Sequence, residues 1–100
     1  MAAARRLLSV DYEVFGTVQG VFFRKYTKKT AVGHGLVGWV KNTPNKTVVG
    51  VIQGPEDKIQ IMKNWLKTKG SPKSVIKNCV FKNERTIDKL EFKEFGVIRH

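Results

Sequence analysis

Residues 10–24, VDYEVFGTVQGVFFR, decide the fold of this chain. Apolar Val10, Tyr12 and Val14 alternate with acidic residues, a pattern typical of a strand with one solvent-facing side. From Phe23 onward the apolar spacing becomes helical, and lysines occupy the opposite side. A glycine-containing loop separates the two patterns. The stretch therefore predicts a β-strand that leads through a short loop into an α-helix.

The rest of the chain continues this succession of strands and helices. A second helix is predicted to begin with Pro55 at its first position and to end at Gly70. We expect further strands at residues 36–42, 47–53, 75–82 and 90–98, with a hairpin connection at 43–46. The order is that of the ferredoxin-like split βαβ sandwich, an α+β fold, with an added C-terminal strand. Both helices should cover one face of an antiparallel sheet and leave Asp11 and Glu13 on the open face.

The last predicted strand changes phase along its length. Leu90 and Phe92 place apolar side chains on one face of the strand, whereas Phe95 and Val97 place them on the other face. A β-bulge or a break near residues 93–94 explains this change. The alternative is that both faces of the strand are partly buried.

Composition limits the class of protein and its partners. With 100 residues, 41% of them hydrophobic, the chain has enough apolar material for one domain. We expect a flexible basic tail at residues 1–8 and a single domain at 9–100. The net charge of +11 favours anionic partners. A single cysteine, Cys79, excludes an internal disulfide framework and suits the cytoplasm, and no apolar run reaches the roughly 20 residues that span a bilayer.

The loop between the first strand and the first helix is the strongest functional signal. Gly16 and Gly20 bracket it, and glycine allows both positive φ and close approach of a ligand. Successive backbone N–H groups and the helix N-terminus can then bind an anion, which Arg24 in the first helical turn can clamp. The spacing is not that of a Walker A loop. On spacing alone, an ordinary strand–helix connection with an exposed arginine remains equally open.

Two motifs together resemble the acylphosphatase family, in its small eukaryotic type. The first is GTVQGVFFR at residues 16–24, and the second is GWVKN at residues 38–42. The resemblance implies hydrolysis of acyl phosphates, R-CO-O-PO₃²⁻, to a carboxylate and inorganic phosphate. It assigns phosphate oxygens to Arg24 and the attacking water to Asn42. The phosphate itself would lie in the loop formed by Gly16, Thr17, Val18, Gln19, Gly20, Val21 and Phe22.

The same resemblance implies the cofactor and partner requirements. No metal, no other cofactor and no covalent phosphoenzyme is expected. The partners are an acyl phosphate substrate and inorganic phosphate, which is both a product and a competitive inhibitor. We expect a cytoplasmic monomer that binds neither membranes nor specific nucleic acids. No histidine or carboxylate close in sequence to either motif offers a general base, so the proton of the water is expected to pass to the substrate's own phosphate.

Two rival functions and one departure from the family pattern accompany this interpretation. The βαββαβ order also builds RNA-recognition modules, but residues 47–51 lack the RNP1 pattern, and acidic residues on the open face would repel a phosphate backbone. A second rival is an anion-binding scaffold without catalysis. Lys46 stands where the family usually has glycine, which leaves Asn45 as the better candidate for a left-handed turn residue.

Other chemically suggestive residues are interpreted as structural. Cys79 is expected to pack within a strand rather than act as a nucleophile. His34 should lie at the end of the first helix, and Trp39 and Trp65 should pack against neighbours.

Overall fold

The computed structural model describes residues 6–98. Five strands and two α-helices follow one another in the predicted order, and a π-helical turn, Trp65–Lys69, extends the second helix. The strands are β1 (Leu7–Thr17), β2 (Val37–Asn42), β3 (Val48–Pro55), β4 (Val75–Ile87) and β5 (Phe95–Ile98). The helices are α1 (Phe23–Gly33) and α2 (Glu56–Asn64), and Pro55 caps α2 instead of occupying its first position. The α+β ferredoxin-like class is confirmed.

The sheet is mixed, so the expected fully antiparallel sheet is wrong at one pair. The strand order is β4-β1-β3-β2-β5, and only the β2–β5 pair is parallel. Neighbouring strands alternate in direction from β4 to β2, so β2 runs opposite to β4. β5 also runs opposite to β4, and it lies against the outer edge of β2. Its pairing with β2 is therefore parallel.

Residues 88–94 explain the change of phase near the C-terminus. They form no strand, and β5 begins only at Phe95, which confirms a break rather than two buried faces. The segment is held to the end of the sheet by Gln53. Its Nε2 donates to Glu91 Oε1 at 2.7 Å, and its Oε1 accepts from the Glu91 backbone N–H at 2.8 Å.

Strands β1 and β4 are longer than predicted. β1 begins at Leu7, and Leu8 is 2% exposed, so the expected tail of residues 1–8 is too long by two residues. Residues 1–5 lie outside the described part of the chain. β4 continues past residue 82: a bulge opposite Val10 shifts its register with β1 by one residue, and pairing then continues to Ile87. Asn83 takes φ 54° there, a value that asparagine tolerates, and donates from Nδ2 to Asp11 Oδ2 at 2.7 Å.

The core lies between one face of the sheet and both helices. Val10, Tyr12 and Val14 of β1 are buried in it together with helix residues such as Phe23 and Ile59. The alternating residues of β1, Asp11 and Glu13, are only partly buried, as expected for the open face. Within residues 6–98, no helix has the length and apolar character that crossing a bilayer requires.

Candidate active site

A cavity of about 580 Å³ lies at the N-terminal end of α1. It brings the two sequence motifs together, because Gly20, Phe22 and Arg24 of the first motif line it with Asn42 of the second. Val97 of β5 also lines it, which makes the parallel edge strand part of the site. The full lining is Val18, Gly20, Phe22, Phe23, Arg24, Lys25, Lys28, Asn42 and Val97.

The loop that leads into α1 keeps its backbone donors free. Within residues 6–98, none of the N–H groups of residues 18–22 donates a hydrogen bond to another residue. Gly20 has φ 75° and Phe22 has φ 59°, whereas Val21 between them does not have positive φ, so the sign of φ alternates along the loop. Such alternation turns successive N–H groups toward one side and forms a concave anion site.

Gly16 fixes where this loop begins. It lies in β1 with φ 129°, and a Cβ atom there would overlap the carbonyl oxygen of Val75 in β4. Glycine is therefore required both by the backbone conformation and by the close approach of the neighbouring strand. The register between β1 and β4 also shifts between Phe15 and Gly16, so an irregularity in the pairing lies just before the end of β1 at Thr17.

The first turn of α1 adds positive potential to the cavity. Its N-cap, Phe22, makes no side-chain capping bond, and no acidic residue lies in the first turn. The free N–H groups of that turn and the helix dipole therefore face the cavity without a compensating negative charge. Arg24 is half-buried and, among the described residues, its guanidinium has no carboxylate partner. Lys25 and Lys28 extend the cationic rim.

Asn42 is the last residue of β2, and its side-chain oxygen is a buried acceptor without a partner in the described part of the chain. A buried amide oxygen that lacks a hydrogen bond is costly, and such groups in folded proteins are commonly satisfied by water or a ligand. Asn42 also lines the cavity, which brings its amide group to the place where a water molecule would bind.

The Gln19 side chain joins the loop to the β2–β3 hairpin. Its Nε2 donates to the carbonyl oxygens of Thr43 at 2.9 Å and Thr47 at 2.8 Å. The Thr47 hydroxyl donates to Glu13 Oε2 at 2.6 Å and contacts the Thr43 hydroxyl at 2.6 Å. These bonds give the Gln19 side chain a structural role. No role was predicted for Thr43 and Thr47, although a threonine hydroxyl can accept a hydrogen bond from the backbone N–H two residues on, as Thr43 does from Asn45.

The hairpin itself corrects one expectation. Lys46, not Asn45, has positive φ, at 65°. The bonds from Thr43 N–H to Thr47 C=O and from Lys46 N–H to Thr43 C=O set the loop length, and that length places the left-handed residue at position 46. A lysine therefore adopts the conformation for which glycine is best suited.

The remaining candidate residues lie away from the cavity. Cys79 is in β4, and burial raises the pKa of its thiol to about 11, which disfavours the nucleophilic thiolate. His34 caps the C-terminal end of α1, and Trp65 packs on Phe23 with ring centroids 5.7 Å apart. In the part of the chain that the structure describes, no three His, Cys, Asp or Glu side chains cluster as metal ligands.

A family model for acylphosphatase matches residues 10–97. The chain belongs to the acylphosphatase family. It is 58% identical to acylphosphatase-2 of Mus musculus, over 97% of this chain and 92% of that protein. It is 52% identical to acylphosphatase-1 of Homo sapiens, over 99% of this chain and all of the relative. The solved acylphosphatase of Bacillus subtilis superposes with a TM-score of 0.83 at 33% identity, over 91% of this chain and 98% of that one.

Proposed function

We propose that this acylphosphatase-family protein hydrolyses the carboxyl–phosphate bond of acyl phosphates without a metal ion. Residues 16–22 hold the phosphate, Arg24 clamps its oxygens and Asn42 positions the attacking water. One observation carries the proposal. The unpaired N–H groups of residues 18–22 run into a helix N-terminus whose first turn contains Arg24. This arrangement suits a phosphate dianion, because it combines many donors with fixed positive potential.

The chemistry requires positioning and charge stabilisation more than acid–base catalysis. The water oxygen attacks phosphorus in line as the bond from phosphorus to the acyl oxygen breaks. The carboxylate departs with the bonding electron pair and needs no proton, since it is already a good leaving group. Arg24 and the loop donors stabilise the charge that spreads over the equatorial phosphate oxygens in the transition state.

The proton of the water is proposed to pass to a phosphate oxygen of the substrate. No carboxylate or imidazole of the described residues lines the cavity, whereas three cations do. The Asn42 amide orients the water by hydrogen bonding but cannot take up its proton. An amide in this position therefore supports alignment, and the substrate supplies the base.

Several expectations about partners extend this proposal. Inorganic phosphate presents the same oxygens as the substrate to the loop and is therefore proposed to inhibit competitively. A monomer suffices, since one chain contributes both motifs. The free thiol of Cys79 fits a reducing cytoplasm. The acidic residues on the open face, Asp11 and Glu13, disfavour a specific nucleic-acid partner.

The test is hydrolysis of benzoyl phosphate in excess chelator, followed by the loss of the mixed anhydride. We expect turnover by the unmodified protein and a roughly 10²–10³-fold lower kcat/KM for Arg24→Ala, the range typical of one electrostatic stabiliser. Asn42→Ala should lower kcat more than it weakens inhibition by inorganic phosphate. Lys29→Ala and Asn64→Ala remove the same residue classes outside the cavity and should change little. Phosphate binding without turnover would instead support the scaffold alternative.

A further inference from the structure

Phe22 is unusual in both exposure and conformation. Phe22 is 71% exposed, whereas Phe23 and Phe95 are 1% exposed. Its φ of 59° places a bulky aromatic residue in the left-handed region, which such residues rarely adopt. Outliers of this kind persist where the surrounding structure imposes them, and they concentrate at ligand sites. Neither core packing nor helix capping by the side chain accounts for this ring.

The ring lies at the entrance of the candidate active site. Phe22 lines the same cavity as Arg24 and Asn42, and the lining changes from buried Val18 to the exposed Phe22. The Lys25 ammonium lies 5.8 Å from the centroid of the Phe22 ring. This cation–π contact restricts the ring from one side and leaves an apolar surface beside a positive charge.

An acyl phosphate has two unlike ends, and only one of them is matched by the loop donors. The phosphate end takes the N–H groups of residues 18–22, so the acyl end must extend from the cavity toward solvent. In-line attack requires the leaving acyl oxygen to lie opposite the water. Asn42 ends β2, while Phe22 is the N-cap of α1, so the two residues line the cavity from different elements.

We propose that Phe22 is a specificity-determining residue that contacts the acyl group and favours aryl acyl phosphates over acetyl phosphate. The inference rests on the proposed function. The ring offers an aromatic face that a benzoyl group can stack on, and an acetyl group is too small to cover it. Lys25 beside the ring faces the carboxylate that develops as the acyl group leaves.

The experiment compares kcat/KM for benzoyl phosphate and acetyl phosphate in the unmodified protein and in Phe22→Ala. The ratio of benzoyl to acetyl should fall roughly threefold to tenfold, the range expected for loss of one aromatic pair. Inhibition by inorganic phosphate is measured alongside, because it reports the loop independently of the acyl group. Val32→Ala removes another exposed apolar side chain of α1, 56% exposed and outside the cavity, and should leave the ratio unchanged.

Two more variants separate the ring from the backbone. Phe22→Asn suits the left-handed conformation and removes the ring, so the ratio should fall as in Phe22→Ala. Phe22→Tyr keeps the ring and should keep the ratio. An unchanged ratio in the two ring-less variants, or equal losses with both substrates together with weaker phosphate inhibition, would overturn the inference. If the unmodified protein hydrolyses neither substrate, the proposed function fails instead.

Discussion

Two loops meet at the candidate active site, and their hydrogen bonding is opposite. In the hairpin of residues 43–47, the backbone N–H groups of Asn45, Lys46 and Thr47 all donate to Thr43. In the loop of residues 16–22, no N–H group from residue 18 to residue 22 has an acceptor within residues 6–98. The hairpin satisfies its own backbone, whereas the phosphate loop retains its donors.

This contrast shows why the phosphate loop needs support from outside. A loop that bonded to itself would have no donors left for an oxyanion, so its conformation must be imposed by neighbours. The Val75 carbonyl of β4 packs closely against Gly16, and α1 begins directly after Phe22. The Gln19 side chain bonds the loop to the hairpin. The self-supporting hairpin thus serves as the scaffold for the ligand-binding loop.

Gly16→Ala should have the largest effect of the substitutions, because it disturbs the contact with β4 that supports the phosphate loop. The new methyl group would overlap the Val75 carbonyl oxygen in a backbone conformation that alanine disfavours. We expect a loss of roughly 2–4 kcal/mol in the free energy of unfolding, measured with urea, together with loss of phosphate binding. Gly33→Ala is the matched control: its Cβ meets open space at the end of α1, and it should stabilise by roughly 0.5–1 kcal/mol. Equal effects of the two substitutions would contradict the steric argument.

Gln19→Ala should have the next largest effect, because it separates the loop from its scaffold. Two carbonyl oxygens of the hairpin lose their shared donor, which predicts about 1–3 kcal/mol lower stability. The inhibition constant of inorganic phosphate should rise roughly tenfold as the loop loosens, equivalent to about 1.4 kcal/mol. Gln60→Ala, exposed on α2, provides the comparison. Tight phosphate inhibition in Gln19→Ala would show that the loop holds its shape unaided.

Lys46→Gly should act on the hairpin alone and in the stabilising direction. Glycine removes the cost of positive φ at this position, and its greater freedom in the unfolded chain offsets part of the gain. We expect a net increase of about 0.5–1 kcal/mol in the free energy of unfolding. Asn45→Gly relieves no such conformation and should not stabilise. If Lys46→Gly is neutral or destabilising, the lysine is not strained.

The smallest predicted effect is on the pH dependence of stability, and it concerns Glu91 in the connection at residues 88–94. Hydrogen bonds from Arg85 and Gln53 lower the pKa of Glu91. The resulting stability is present above the ordinary glutamate pKa and is lost as pH falls through the lowered value. Urea unfolding across acidic pH should therefore show a slightly steeper loss for the unmodified protein than for Glu91→Gln. Glu94→Gln, on the same segment, should follow the unmodified protein, and identical curves for all three would refute the linkage.

Much of the fold was predictable because the spacing of apolar residues and the positions of glycines are properties of single segments. The alternation at Val10, Tyr12 and Val14 identified β1 and its buried face, and the change of phase after Phe92 identified the break before β5. The motif residues around Arg24 and Asn42 do come together in one cavity. Their catalytic roles remain predictions from the family resemblance and the geometry.

The missed features depend on contacts between distant segments. The parallel pairing of β5 depends on the edge that it joins, β2 and not β4, and periodicity does not record that choice. The bond from Thr47 to Glu13 requires the β1–β3 register. The choice of Lys46 over Asn45 for positive φ depends on where the hairpin bonds close. None of these can be read from a single segment.

The contact between Gly16 and Val75 has a consequence for the order of folding. The phosphate loop acquires its starting point only when β4 lies alongside β1, so two segments far apart in the chain must meet first. Closing so long a loop costs more chain entropy than closing the hairpin between β2 and β3. We therefore expect the hairpin to form before the phosphate loop, so that the capacity to bind an anion arises late in the folding reaction.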